Sequence, residues 1–97
     1  MEVLEKSFIK DENLMTRNIA GETLIVPVRN RVGDLSAIYT LNEVAARVWQ
    51  LLDSQTEVKG IVNAITSEYK VTADEAAADI AELLQTWEEA GLVRAAA

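Results

Sequence analysis

Between Leu35 and Leu52 the chain reads LSAIYTLNEVAARVWQLL, and within it the spacing of apolar residues changes from every second position to about every 3.6. Alternation is the signature of a half-buried strand and the longer period that of an amphipathic helix, so a strand hands over to a helix here with no linker between them. The residues before this junction read as short antiparallel strands and those after it as amphipathic helices. The expected architecture is α+β: a three-stranded antiparallel sheet followed by a three-helix bundle, with a winged helix-turn-helix-like arrangement.

In chain order, residues 1–13 mix charge and bulk without committing to either period and form an unassigned N-terminal arm. A first strand is expected over Leu14 to Ala20, with Gly21 offering the turn. Thr23 to Val28 then alternates with Leu24, Val26 and Val28 on one face, which should point at the core. Pro27 cannot donate to a ladder and argues for an edge position, a bulge or an early strand end. Gly33 beside Asp34 marks a turn, because both residue types tolerate positive φ. The third strand runs over Leu35 to Thr40.

Three helices complete the chain. Asn42 is placed to cap the first, which runs to about Asp53 with Val44, Ala45, Val48, Trp49, Leu51 and Leu52 on its apolar side. Thr56 is the expected cap of the second, from about Glu57 to Tyr69, with a stripe of Val58, Ile61, Val62, Ile65 and Tyr69. Thr72 with Glu75 three residues on is a capping box that starts the third and longest helix, and Gly91 supplies its left-handed stop. Ala76, Ile80, Leu83 and Trp87 form the centre of this helix's buried side. Ala73, Ala77, Ala81 and Leu84 flank it. Leu92 and Val93 fold back beneath the helix, and Ala95 to Ala97 read as a frayed tail.

Composition narrows the function. The chain is 97 residues with no cysteine and no histidine, 49% hydrophobic, and carries a formal charge of −7. That length suits one domain with one core. Without histidine the commonest general base and metal ligand is missing, and without cysteine there are no thiolate ligands or disulfides. Ser7, Ser36, Ser54 and Ser67 therefore have no histidine to activate them, and no glycine pattern of a phosphate cradle occurs. Enzyme, cofactor and metal readings are weak, and no apolar run is long enough to span a bilayer or form a signal-peptide core. A cytoplasmic protein with no membrane partner is expected. Three helices beside a hairpin would suit a DNA reader, but the third helix holds Asp74, Glu75, Asp79, Glu82, Glu88 and Glu89 and no basic residue, a poor match to phosphate. The basic residues Arg17, Arg29 and Arg31 lie on the strand side, where they read as ordinary surface charge or as help in receiving an acidic peptide. Trp49 and Trp87 lie on apolar helix faces and read as core.

Taken in chain order, Leu41-Asn42, Ala45, Ala46 and Trp49-x-x-Leu52-Asp53, then Thr56-x-Val58-x-x-Ile61-Val62 with Tyr69, then Asp79-Ile80, Leu83-Leu84 and Gly91-Leu92-Val93 resemble the PqqD-like family of small peptide-recognition domains. The resemblance implies three antiparallel strands and then three helices over residues 14–93, with 94–97 a tail. It implies a non-catalytic adaptor whose partners are the leader of a ribosomally made precursor peptide and a modifying enzyme, often a radical S-adenosylmethionine enzyme. The leader would add as a further strand along the third strand and lie in the groove toward the third helix. Leu35, Ser36, Ala37, Ile38 and Tyr39 are then the candidate edge, and Ala73, Ala77, Ile80, Ala81 and Leu84 the candidate groove. Members dedicated to pyrroloquinoline quinone synthesis are expected to carry a Pro-Glu pair shortly before the Leu-Asn motif, where this chain has Ala37-Ile38-Tyr39-Thr40. That pathway remains an alternative beside the broader chaperone role, as do a winged-helix DNA-binding or structural module and a homodimer formed by strand addition or swapping.

Overall fold

The computed structural model describes residues 2–12, 14–27 and 38–96. A short 3-10 turn, Glu2–Glu5, leads into strand β1, Phe8–Lys10. Strands β2, Leu14–Ile19, β3, Glu22–Pro27, and β4, Tyr39–Leu41, come next, then helices α1, Glu43–Leu51, α2, Val58–Glu68, and α3, Ala73–Glu89, and a last strand β5, Val93–Ala95. The sheet has the order β2-β3-β4 and is antiparallel, as the alternating pattern requires. A separate two-stranded pair joins β1 to β5, antiparallel, at the two ends of the chain.

The β2–β3 hairpin closes through two residues, Ala20 and Gly21, both at positive φ (53° and 83°), as a primed turn matched to strand twist demands. Thr16, Ile25 and Tyr39 stand opposite one another across the sheet and share the face turned toward the helices. Ile25 is fully buried and Leu41, two residues beyond Tyr39, is also in the core. The expectation that Leu24 and Val26 would face inward is therefore inverted: they are half-buried on the outer face. Leu24, Ile25 and Val26 are consecutive apolar residues, so alternation alone cannot choose between the two faces. The choice is made by Thr16, whose hydroxyl accepts from Trp49 Nε1 at 3.1 Å. Val28 and the Asn30 to Asp34 turn lie outside the described residues. β3 lies between β2 and β4, and Pro27, paired with Leu14 of β2, is its last described residue.

The helices start and stop mostly as their caps dictate. Asn42 Oδ1 accepts from the Ala45 N–H at 2.8 Å, and Thr72 Oγ1 accepts from the Glu75 N–H at 3.1 Å. Gly91 at φ 78° ends α3, with the Leu92 N–H donating to Trp87 C=O and the Gly91 N–H to Glu88 C=O, the paired bonds of a Schellman stop. α2 departs from expectation. Glu57, not Thr56, precedes it and makes no side-chain cap; instead the Val58 N–H donates to the carbonyl of Lys6 at 2.8 Å. The N-terminal arm thus satisfies an amide that the local pattern assigns to a nearby hydroxyl. Thr56 and Gln55 donate their own N–H groups to Asp53 Oδ1. Bonds from the Thr56 side chain and from these two amides hold the Asp53 carboxyl below its ordinary value.

The arm is part of the core. Phe8 is buried, and Val3 and Leu4 pack against the same cluster. Its partner strand includes Ala95, and the Ala96 N–H donates to Ser7 C=O at 2.9 Å, so Ala95 and Ala96 are paired and not frayed. α3 also differs in one position: Leu84 is fully buried and Leu83 half-buried, which exchanges the centre and flank places expected for the two leucines. Successive residues lie about 100° apart around a helix, so a modest shift of the buried arc of α3 toward its Ala77 and Ala81 side is enough to exchange the two leucines. The apolar stripe of α2 is buried as read, and both tryptophans are in the core.

α1 and α2 are clasped on the surface by Arg47, which donates Nε and Nη2 to the two carboxylate oxygens of Glu68 at 2.8 and 3.0 Å. The guanidinium holds the Glu68 carboxyl below its ordinary value of 4.5. A depressed folded value means stabilisation that is present above pH 4.5 and lost as the pH falls through the lower value of the folded chain.

This packing sets the outcome of three substitutions. Phe8→Ala, although it lies in the arm, should cost about 3–5 kcal/mol in urea unfolding, as for other buried phenylalanines; a cost near zero would mean the arm is dispensable. Ala20→Asn should raise stability by about 1 kcal/mol, because asparagine tolerates the left-handed backbone at the first turn position better than alanine. The stability gap between the parent and Glu68→Gln should be constant from pH 7 to pH 5 and shrink below pH 4.5. A gap independent of pH would show that the Arg47 clasp contributes nothing.

Candidate functional site

The two-residue turn fixes the hydrogen-bond parity of the sheet. Ile19 and Glu22 flank the turn as a hydrogen-bonded pair, so Glu22, Leu24 and Val26 direct their backbone groups toward β2, and Thr23, Ile25 and Pro27 toward β4. Thr23 pairs with Leu41 and Ile25 with Tyr39. The next β3 residue facing β4 is Pro27, which has no N–H, and the described rungs between the two strands run from Thr23 to Ile25. Tyr39 and Leu41 therefore spend their backbone groups on β3, while Thr40 directs its N–H and C=O to the open side of the sheet. Ile38, which leads into the strand, has the same parity. Among the described residues β4 is a terminal strand of the sheet, and the N-terminal arm does not cover it, since β1 pairs with β5.

Of the candidate edge residues, Leu35, Ser36 and Ala37 lie outside the described residues. Ile38 is 41% exposed and Tyr39 is half-buried with its ring packed on the core. The described edge extends one residue past the expected strand end, through Thr40 to Leu41. Asn42 carried that signal, because a residue capping a helix has extended backbone and lets the strand run up to it. Thr40 is thus a candidate that the sequence pattern left out.

On α3, Ala73 is exposed and Ala77 and Ala81 are half-buried. Ile80 and Leu84 are each 1% exposed; they back the alanine flank from inside the core and present no surface of their own. β4 packs on β3 and α1, and α3 packs on α2, β5 and α1. α1 packs on both the strand edge and the third helix, whereas β4 and α3 have no comparable packing on each other among the described residues, so the expected groove is not formed by the two elements directly.

The charge is sorted by element. Asp74, Glu75, Asp79, Glu82, Glu88 and Glu89 are all exposed on α3. Arg17 is exposed on the outer face of β2, and Arg29 and Arg31 lie outside the described residues. Among the described residues no group of three or more Asp or Glu side chains is placed to hold a metal ion, and no helix is long and apolar enough to cross a membrane.

Comparison with known proteins agrees with this architecture. One solved structure, that of TbiB1 in complex with the TbiA(beta) leader peptide, superposes with a TM-score of 0.72 at 21% sequence identity, covering 88% of this chain and 93% of that one. No curated protein matches the sequence. The family of coenzyme PQQ synthesis protein D (PqqD) matches residues 22–93, from the first residue of β3 to the first of β5. The chain belongs to the PqqD family.

Proposed function

We propose that the chain is a non-catalytic cytoplasmic adaptor that recognises the leader of a ribosomally made precursor peptide by strand addition along β4 and presents it to a modifying enzyme, of the radical S-adenosylmethionine class. The observation that carries this reading is that, among the described residues, no strand pairs with the outer edge of β4 in a PqqD-family fold, and the Thr40 backbone groups turn outward. An extended peptide satisfies such groups with its own amides and carbonyls, and side-chain contacts then give the sequence preference. The structural neighbour solved with a leader peptide supports the same assignment.

Ile38 and Thr40 supply the outward backbone groups in this reading, with Tyr39 between them tied to β3. Ala73, Ala77 and Ala81, backed by Ile80 and Leu84, supply the helix side. Duplex DNA is disfavoured as the partner, because the exposed face of α3 carries six carboxylates that would meet phosphate.

The test is calorimetric titration of the full chain with extended peptides selected on it from a display library. Binding should be lost at least tenfold in Thr40→Pro, which removes the outward donor but no rung to β3, with the unfolding midpoint little changed. Ala81→Trp, which fills the helix flank, should weaken it as well. Undiminished affinity in Thr40→Pro would remove β4 as the site.

A further inference from the structure

Strand addition leaves open which side chains the peptide carries, and a cleft at the end of β4 bears on that choice. Near the Ala20-Gly21 turn an open cleft of about 840 Å³ separates the sheet from α1; its walls include Glu22, Leu41, Glu43, Ala46, Arg47 and Tyr69. Thr40 and Leu41 belong both to β4 and to the cleft wall. A peptide paired with β4 therefore brings its flanking residues to the cleft mouth.

The charges in the cleft are unequal in availability. Arg47 is already engaged: two of its nitrogens bond to Glu68, and Nη1 donates to Gln50 Oε1 at 3.3 Å. Glu22 and Glu43 are exposed and neither carries an ion pair among the described residues. Glu43 stands in the first turn of α1, where the helix end offers roughly half a positive charge, partly spent on Asn42, so it offsets only part of one carboxylate. The remaining balance is negative. Leu41, Ala46 and the half-buried Tyr69 ring give the cleft an apolar side, which suits the methylene stem of a long basic residue.

We propose that this cleft selects a lysine or arginine lying in the leader just beyond the stretch that pairs with β4, its stem on Leu41, Ala46 and Tyr69 and its cationic head toward Glu22 and Glu43. The inference rests on the strand-addition reading and deepens it from a general peptide to a leader with a basic flanking residue.

A random-peptide display library selected on the full chain tests both levels. Enriched peptides are synthesised and titrated against the parent, Thr40→Pro, and the Glu22→Gln and Glu43→Gln variants singly and together, each checked for an unchanged thermal unfolding midpoint. Peptides whose binding is lost in Thr40→Pro should share a Lys or Arg at a fixed distance from their pairing segment. Replacing that residue by alanine, or using the double variant, should each weaken binding by about fivefold at low salt, the range of a solvent-exposed ion pair. Combining the two changes should cost little more than either alone, because one contact has been removed twice. Peptides that need Thr40 but show no basic preference, or that bind the double variant as tightly as the parent, overturn the cleft assignment and leave the adaptor reading standing. A shared acidic residue at that position overturns it in favour of Arg47. A library yielding no peptide sensitive to Thr40→Pro overturns both.

Discussion

Trp49 is the residue on which the rest of the packing depends. Its indole N–H is held by Thr16 of β2, its ring meets Trp87 of α3 edge-on at 5.2 Å and 84°, and the Lys10 ammonium of β1 lies 5.1 Å from the ring centre. One side chain on α1 thus touches the sheet, the arm and the last helix. Burial of an indole removes on the order of 200 Å² from water, or about 5 kcal/mol, whereas the edge-on ring contact adds about 1 kcal/mol and the cation contact less than that. Burial therefore supplies the stability and the three directional contacts select one orientation. Lys10 bears a cost for its part: burial lowers its pKa, and Asp53 offsets some of that.

The same hub explains which parts of the fold were legible in the sequence. Helices announce themselves because each carries its own period and its own ends, and Asn42, Thr72 and Gly91 act within a few residues of where they stand. The arm could not be read this way. β1 and β5 are three residues each, too short to show a period, and each is stabilised by the other from the opposite end of the chain. The start of α2 failed for a related reason, since the group that satisfies its Val58 amide is the carbonyl of Lys6. Where a residue's partner is distant in sequence, local pattern has nothing to register.

The inward face of β3 is the sharper case. Three apolar residues in a row make either parity admissible, and the decision passes to Thr16, a polar residue whose inward placement makes sense only once the indole N–H of Trp49 is known to need an acceptor. The candidate site inherits this. Thr40 faces outward because Ile25 and Tyr39 are paired, with a parity set by the two-residue turn at Ala20-Gly21. The alanine flank of α3 was visible as composition. Its two larger neighbours, Ile80 and Leu84, belong to the core because α3 rotates to bring Trp87 onto Trp49.

Energetics limit what backbone pairing along β4 would contribute in the proposed complex. Ile38 and Thr40 together offer two N–H and two C=O groups, and exchanging water for peptide at each is worth about 0.5–1.5 kcal/mol, or about 2–6 kcal/mol in all. Association of a flexible peptide costs at least about 4 kcal/mol in rigid-body freedom, before its own side chains are ordered. Backbone pairing alone thus falls near zero net affinity, and any extended chain would gain it equally. In the proposed complex, backbone pairing therefore supplies neither the affinity nor the discrimination, and side-chain contacts flanking the strand must supply both.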